Sequence, residues 1–103
     1  MEKLIKDYGI YLEIQKGCSV HTRSSYETDV KQFIEFLREK EYVPVSSDVV
    51  KLDRIDPDVV RYFLATLSHR KIKKVSISRK IAALRSFLIF LLKKVILIII
   101  LLL

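Results

Sequence analysis

Positively charged side chains are concentrated in the second half of this chain, in a pattern suited to binding phosphate groups. Residues 59–103 contain ten Lys and Arg and no Asp or Glu, a net charge of +10, whereas residues 1–58 carry nine Lys and Arg and twelve Asp and Glu, a net of −3. The densest cluster is Arg70, Lys71, Lys73 and Lys74. Such one-sided charge is typical of proteins that bind a polyanion, either nucleic acid or an acidic membrane surface.

The residue types that support catalysis or metal binding are sparse. The single cysteine, Cys18, excludes an internal disulfide and a cysteine-based zinc site, and with only His21 and His69 we expect no metal and no cofactor. Helix packing or loop roles account for the five tyrosines, so we assign none as a nucleophile. The single cysteine and an N-terminus too charged for a signal peptide favour a reducing, intracellular compartment, and we expect the chain in the cytoplasm.

Residues 76–92 form the amphipathic helix around which the rest of the chain is organised. Apolar residues recur at helical spacing and predict one buried face: Ile77, Ile81, Leu84, Leu88 and Leu91. Ser76, the expected N-cap, shares the opposite face with Arg79, Ala83 and Ser86. An ordinary helix with a solvated face would show the same pattern, but the surrounding charge favours a surface that binds the DNA major groove.

Three further helices are expected before this one, which makes the chain all-α. The first covers residues 2–16, with Gly9 marking a close helix contact and Gly17 a C-cap. The second runs from an N-cap at Ser19 to about residue 40, and its core stripe is Tyr26, Val30, Phe33 and Leu37. After a linker at residues 41–56, where Val49 and Val50 anchor the loop, Asp56 and Pro57 start a third helix that ends near His69.

The second helix also has a small, polar outward face near its N-terminus. His21, Ser24, Ser25 and Thr28 lie away from its core stripe, and Arg23 lies at the margin. His21 by itself is more often a solvated side chain than a ligand. The sequence therefore predicts two polar helix faces, one on the second helix and one on the fourth.

Two segments resemble the N-terminal SAM-like core-binding domain of tyrosine recombinases of the Xer and phage-integrase type. The first segment is Ser19-Val20-His21-Thr22 followed by Tyr26, Asp29-Val30, Phe33 and Phe36-Leu37. The second is Ser76-Ile77-Ser78-Arg79 followed by Ile81, Ala83-Leu84-Arg85, Phe87 and Phe90-Leu91. The resemblance implies a four-helix domain of two crossing helical hairpins over residues 1–94, and it implies binding of double-stranded DNA at the nucleoid together with other recombinase protomers.

The resemblance also implies which side chains face DNA. On the second helix these are His21, Thr22, Ser24 and Ser25, with Arg23 beside them, although helical phase places Thr22 nearer the core. On the fourth helix they are Ser76, Arg79 and Ala83. The implied phosphate contacts are Lys73, Lys74 and Lys80. Members of this family carry their catalytic arginines, histidines and tyrosine in a second domain. We do not find the motifs of that domain in the 103 residues, so the resemblance implies a DNA-binding module and not an enzyme.

Residues 95–103 form an apolar tail that the DNA-binding interpretation does not explain. They consist of Val, Ile and Leu alone. Nine residues are too few to span a bilayer, which takes about 20. Two conformations remain open, a helix that prolongs the fourth helix or an aggregation-prone strand. The tail also supports an alternative function, a basic helical domain that binds a membrane surface or another protein.

Overall fold

The computed structural model describes residues 2–40 and 56–103, which form four α-helices and no strand. They are α1 (Glu2–Gln15), α2 (Val20–Glu39), α3 (Pro57–His69) and α4 (Lys74–Leu102). The expected all-α, four-helix fold is confirmed. The predicted linker, with Val49 and Val50, lies outside the described residues except for Asp56.

The ends of the first three helices follow the capping residues that the sequence indicated. Ser19 Oγ accepts a hydrogen bond from the backbone N–H of Thr22 at 3.1 Å, and Asp56 Oδ1 accepts one from Val59 N–H at 2.9 Å. Gly17 takes a left-handed φ of 64° just after α1, a conformation that glycine adopts without strain. Local side-chain chemistry therefore sets these boundaries.

The start of α4 differs from the prediction, because its N-cap is Lys73 and not Ser76. The preceding turn is tight: Lys71 adopts a φ of 58°, and the N–H of Ile72 donates to the carbonyl of Leu67 at 3.2 Å. Ile72 also packs against the core, which brings the chain into helical geometry early. Lys73 makes no side-chain capping bond, so the first turn of α4 has none of the usual cap.

The buried residues form two hydrophobic clusters, and α2 and α4 contribute to both. The first cluster joins α1 to α2 and α4, with Tyr8, Leu12 and Phe87 among its most buried side chains. The second joins α3 to α2 and α4 around Phe33 and Leu67. Because α4 packs against helices on two sides, it buries a wider face than a single apolar stripe provides.

This two-sided packing widens the buried face of α4 beyond the predicted stripe, of which Leu84 and Leu91 are buried and Ile77 and Leu88 pack against the clusters. Ala83, expected to face outward, is 0% exposed, whereas Ile81, expected in the core, is 38% exposed. The Tyr8 hydroxyl donates to the carbonyl of Ala83 at 3.2 Å, so α1 contacts the backbone of α4 at this position. The predicted outward position of Ala83 is therefore wrong.

Gly9 marks a close contact between α1 and α2, as expected. A Cβ atom at this position would collide with the side chains of Arg23 and Glu27 on α2. The missing side chain thus lets an Arg–Glu pair lie directly across α1.

The apolar residues 95–103 continue α4 as a helix, which decides between the two conformations left open above. Their side chains are from 42% to 99% exposed. Just before them, Lys93 Nζ donates to the Tyr11 hydroxyl at 3.3 Å and Lys94 Nζ lies 3.5 Å from Asp7, which ties α4 to α1. Among the described residues, no helix has the length and hydropathy needed to cross a membrane.

Candidate nucleic-acid interface

Four exposed cations lie in the turn between α3 and α4 and at the first residue of α4. Arg70, Lys71, Lys73 and Lys74 make no side-chain hydrogen bond or ion pair within the described part of the chain. They surround the N-terminus of α4, which has no acidic residue in its first turn. A helix N-terminus already carries a partial positive charge and free N–H groups, so cations here are unfavourable unless an anion is bound. The charges therefore favour phosphate binding at this turn.

The N-terminal part of α2 presents small polar side chains, as the sequence predicted. His21 and Ser24 are exposed, and Ser25 is partly exposed. Thr22 is half-buried, and its hydroxyl accepts a hydrogen bond from Ser19 at 3.1 Å, so it contributes to the helix cap. The exposed positions of α2 from residue 20 to 28 carry no acidic side chain, which suits close approach of a phosphate backbone.

Arg23 is partly exposed on α2, but two carboxylates hold its side chain against the fold. Its guanidinium pairs with Glu13 on α1 at 2.9 Å and with Glu27 at 2.6 Å. The hydrogen bonds to these two carboxylates raise the pKa of Arg23 above its ordinary value. Because two carboxylates neutralise it, Arg23 fastens α1 to α2 across Gly9 and adds little net charge to the surface.

The most specific polar arrangement lies between α2 and α4, where the carboxylate of Asp29 binds two cations. Arg79 donates from Nε and Nη2 to the two Asp29 oxygens, both at 2.9 Å, and Lys80 Nζ donates to Oδ1 at 2.8 Å. The Asp29 side chain is completely buried, and that of Lys80 is 9% exposed. Hydrogen bonding to Asp29 raises the pKa of Arg79 above its ordinary value. We call these three residues the Asp29 triad.

The triad divides the predicted contact residues of α4 into two groups. Lys80 is buried on Asp29 and Ala83 is buried in the core, so neither reaches the surface as expected. Arg79 keeps 44% of its side chain exposed, and Ser76 is partly exposed one turn earlier. The outward face of α4 is therefore narrower than helical phase suggested, and Arg79 is its central cation.

Sequence reasoning missed the role of Asp29 and placed Lys80, one of its two partners, on the surface. A signal was present, because Asp29 stands beside Val30 and one turn before Phe33, within the core stripe of α2. A carboxylate at a core position needs a paired cation, since an isolated buried charge is very unfavourable. The pairing with Arg79 spans 50 residues, however, and helical periodicity cannot identify a partner at that distance.

The described tyrosines are engaged in packing. Tyr8 is fully buried, and burial raises the pKa of its hydroxyl to about 12. Tyr11 is 7% exposed beneath Lys93, and Lys40 lies over the ring of the half-exposed Tyr62 at 5.6 Å. One cation beside a tyrosine is less than phosphoryl transfer requires, which is several groups that stabilise charge on the phosphate oxygens. The described residues also contain no group of three or more His, Cys, Asp or Glu placed to hold a metal.

Residues 5–94 match the model of the phage integrase N-terminal SAM-like domain, which covers most of the chain. The chain therefore belongs to this family, and the resemblance noted in its sequence is confirmed.

Curated relatives of the chain include several XerC proteins. It is 38% identical over 94 residues to the tyrosine recombinase XerC of Syntrophus aciditrophicus, an alignment that covers 91% of this chain and 30% of that protein. It is 36% identical over 84 residues to XerC of Anoxybacillus flavithermus, covering 82% and 26%. The chain thus spans less than a third of the length of these relatives. No solved structure matches it.

Proposed function

We propose that this chain is a DNA-binding module of a site-specific tyrosine recombinase, and that it contacts duplex DNA through the N-terminal parts of α2 and α4. The observation that carries the proposal is a cluster of four cations, unpaired among the described residues, around the start of α4, which has no side-chain cap. The family and the XerC relatives support it, because recombinases act on DNA. The module works at the nucleoid, alongside other recombinase protomers.

The exposed residues divide into phosphate contacts and base contacts. Lys73 and Lys74 bind phosphates, with Arg70 and Lys71 adding charge at the same turn. Arg79 reaches into the major groove, where a guanidinium can bind guanine. Side chains of the second helix face the adjacent backbone: His21, Thr22, Ser24 and Ser25. Lys80 and Ala83 support this surface from inside the fold, and the partly exposed Arg23 is neutralised by Glu13 and Glu27, so DNA contacts are not assigned to these three residues.

The module does not carry out strand cleavage in this proposal. Its described tyrosines lie in the core or against single lysines, and the chain matches the N-terminal portion of its relatives. The recombination chemistry of the assembled complex therefore depends on a catalytic domain, and this module fixes the position of the complex on DNA.

Salt dependence of duplex binding tests the proposal. We expect weak binding whose log K falls against log salt with a slope of about −3.6, because four phosphate contacts each release about 0.9 counterion. Fluorescence anisotropy of a labelled duplex gives this slope directly. Binding that does not change with salt, or no binding at low salt, contradicts the proposal.

The exposed apolar helix of residues 95–103 favours a second function, docking on an anionic lipid surface or on another protein. Deletion of these residues separates the two. If DNA binding is the function of the module, the deletion leaves duplex affinity within about twofold, because the tail is remote along α4 from the cation cluster. If lipid binding is the function, the same deletion abolishes sedimentation with vesicles that contain phosphatidylserine, while a full chain sediments.

A further inference from the structure

We propose that buried Asp29 is a positioning residue for base recognition, and that it holds the Arg79 guanidinium in place to bind guanine in the major groove. This inference rests on the proposed function and adds to it the group that orients Arg79, the side chain proposed to contact the base. A flexible arginine loses rotamer freedom when it binds, so an arginine that is already held loses less.

The atoms that Arg79 commits to Asp29 leave the right donors free. A guanidinium has five N–H groups in a fixed planar fork. Arg79 uses Nε and one N–H of Nη2 on Asp29, which is the side edge of the group. Two N–H groups on Nη1 and one on Nη2 remain, and one from each nitrogen form the end edge. Such a parallel pair of donors matches the O6 and N7 acceptors of guanine.

Lys80 makes this arrangement compatible with binding an anionic polymer. If Asp29 faced Arg79 alone, the pair would be neutral and would offer DNA no net attraction. The ammonium of Lys80, 2.8 Å from the same carboxylate, adds a second positive charge, so the triad keeps a net charge of +1. Because Lys80 is buried and Arg79 is 44% exposed, the guanidinium is the member that presents this charge to solvent.

Arg79 and the lysines at the start of α4 should differ measurably in their effect on sequence preference. Lysines bind phosphates as point charges and raise the affinity for all DNA sequences alike. A guanidinium held in one orientation instead raises the affinity for one base at one position. Asp29, which cannot itself touch DNA, should then change sequence preference. A residue that only stabilises the fold would change the amount of folded protein and leave the preference unaltered.

The test uses the full chain and a pool of duplexes with a randomised central segment. Three variants are compared with the native chain: Arg79→Ala, Lys74→Ala and the double variant Asp29→Asn with Lys80→Met. The double variant removes the carboxylate without leaving a buried unpaired lysine, so the fold is retained, and circular dichroism with thermal melting verifies this. Bound duplexes are sequenced, and affinity for unselected DNA is measured in parallel.

We expect the native chain to enrich guanine at one position by about tenfold. Arg79→Ala and the double variant should both lose this enrichment, while Lys74→Ala lowers affinity and keeps it. In NMR spectra of the free protein, the Arg79 Nε–H signal should be visible in the native chain and lost in the double variant, because the hydrogen bond to Asp29 slows its exchange. The inference is overturned if the double variant keeps the native preference for guanine. It is also overturned if Arg79→Ala lowers the affinity for all duplex sequences equally, because Arg79 would then be a phosphate contact. Absence of any duplex binding overturns the proposed function as well.

Discussion

Replacing Lys73 and Lys74 together by Ala is expected to weaken duplex binding by about a hundredfold at about 50 mM salt. Both lysines are exposed and unpaired within the described structure, so their full charge is available to phosphates. Each lost contact also removes about 0.9 from the salt slope, which should fall from about −3.6 to about −1.8. Anisotropy titrations at several salt concentrations measure both quantities.

The chain supplies a matched control in the second adjacent lysine pair on the same helix. Lys93 and Lys94 contact Tyr11 and Asp7 near the other end of α4. Nineteen residues of helix between Lys74 and Lys93 correspond to about 28 Å, so the control pair lies well beyond one Debye length from the cluster. Replacing Lys93 and Lys94 by Ala removes the same net charge and should leave the salt slope near its native value. If both double replacements weaken duplex binding equally, only the total charge matters. That result would contradict a binding site at the α3–α4 turn.

Asp29→Ala is expected to lower the free energy of unfolding by about 3–5 kcal/mol, because it leaves the buried ammonium of Lys80 without a partner. A loss of this size is a large share of the stability of a small domain, which is about 5–15 kcal/mol. Urea unfolding followed by circular dichroism gives the change.

Two further variants identify the cause of that loss. Adding Lys80→Met to Asp29→Ala removes the unpaired charge and should recover most of the stability. Asp58→Ala breaks the exposed pair with Arg61 and should have little effect, because solvent screens such pairs. If Asp29→Ala proves no more harmful than Asp58→Ala, the triad does not stabilise the domain in the way described.

Short-range sequence signals predicted the helix boundaries well because the interactions that fix them are local. Ser19, Gly17, Asp56 and Pro57 each act within a few residues, and all four stand at helix ends in the structure. The core stripe of α2 was also predictable, since that helix buries Val30 and its helical neighbours on one face. The family motifs have the same local character, which explains why they could be recognised in this sequence.

The features of the site that could not be predicted depend on how helices pack against each other. Helical phase assigns a face to Ala83, but only the approach of Tyr8 from α1 shows that this face is buried. In the same way, Lys80 carries a charge that suggests the surface, and its burial follows from Asp29 on another helix. The start of α4 at Lys74 depends on a turn closed by the hydrogen bond from Ile72 N–H to the Leu67 carbonyl. No capping side chain marks this start in the sequence.

Mapping a bound duplex onto the folded chain by NMR tests the central claim most directly. A ¹⁵N-labelled protein titrated with a 20-base-pair duplex, a length of about two helical turns, reports every backbone N–H that DNA approaches. We expect the largest shifts at residues 20–25 of α2 and at residues 70–79 of the turn and α4, with residues 95–103 unchanged. Shifts concentrated at residues 95–103 and at exposed Ile10 and Ile14 of α1 would contradict it, because DNA would then occupy the opposite end of α4.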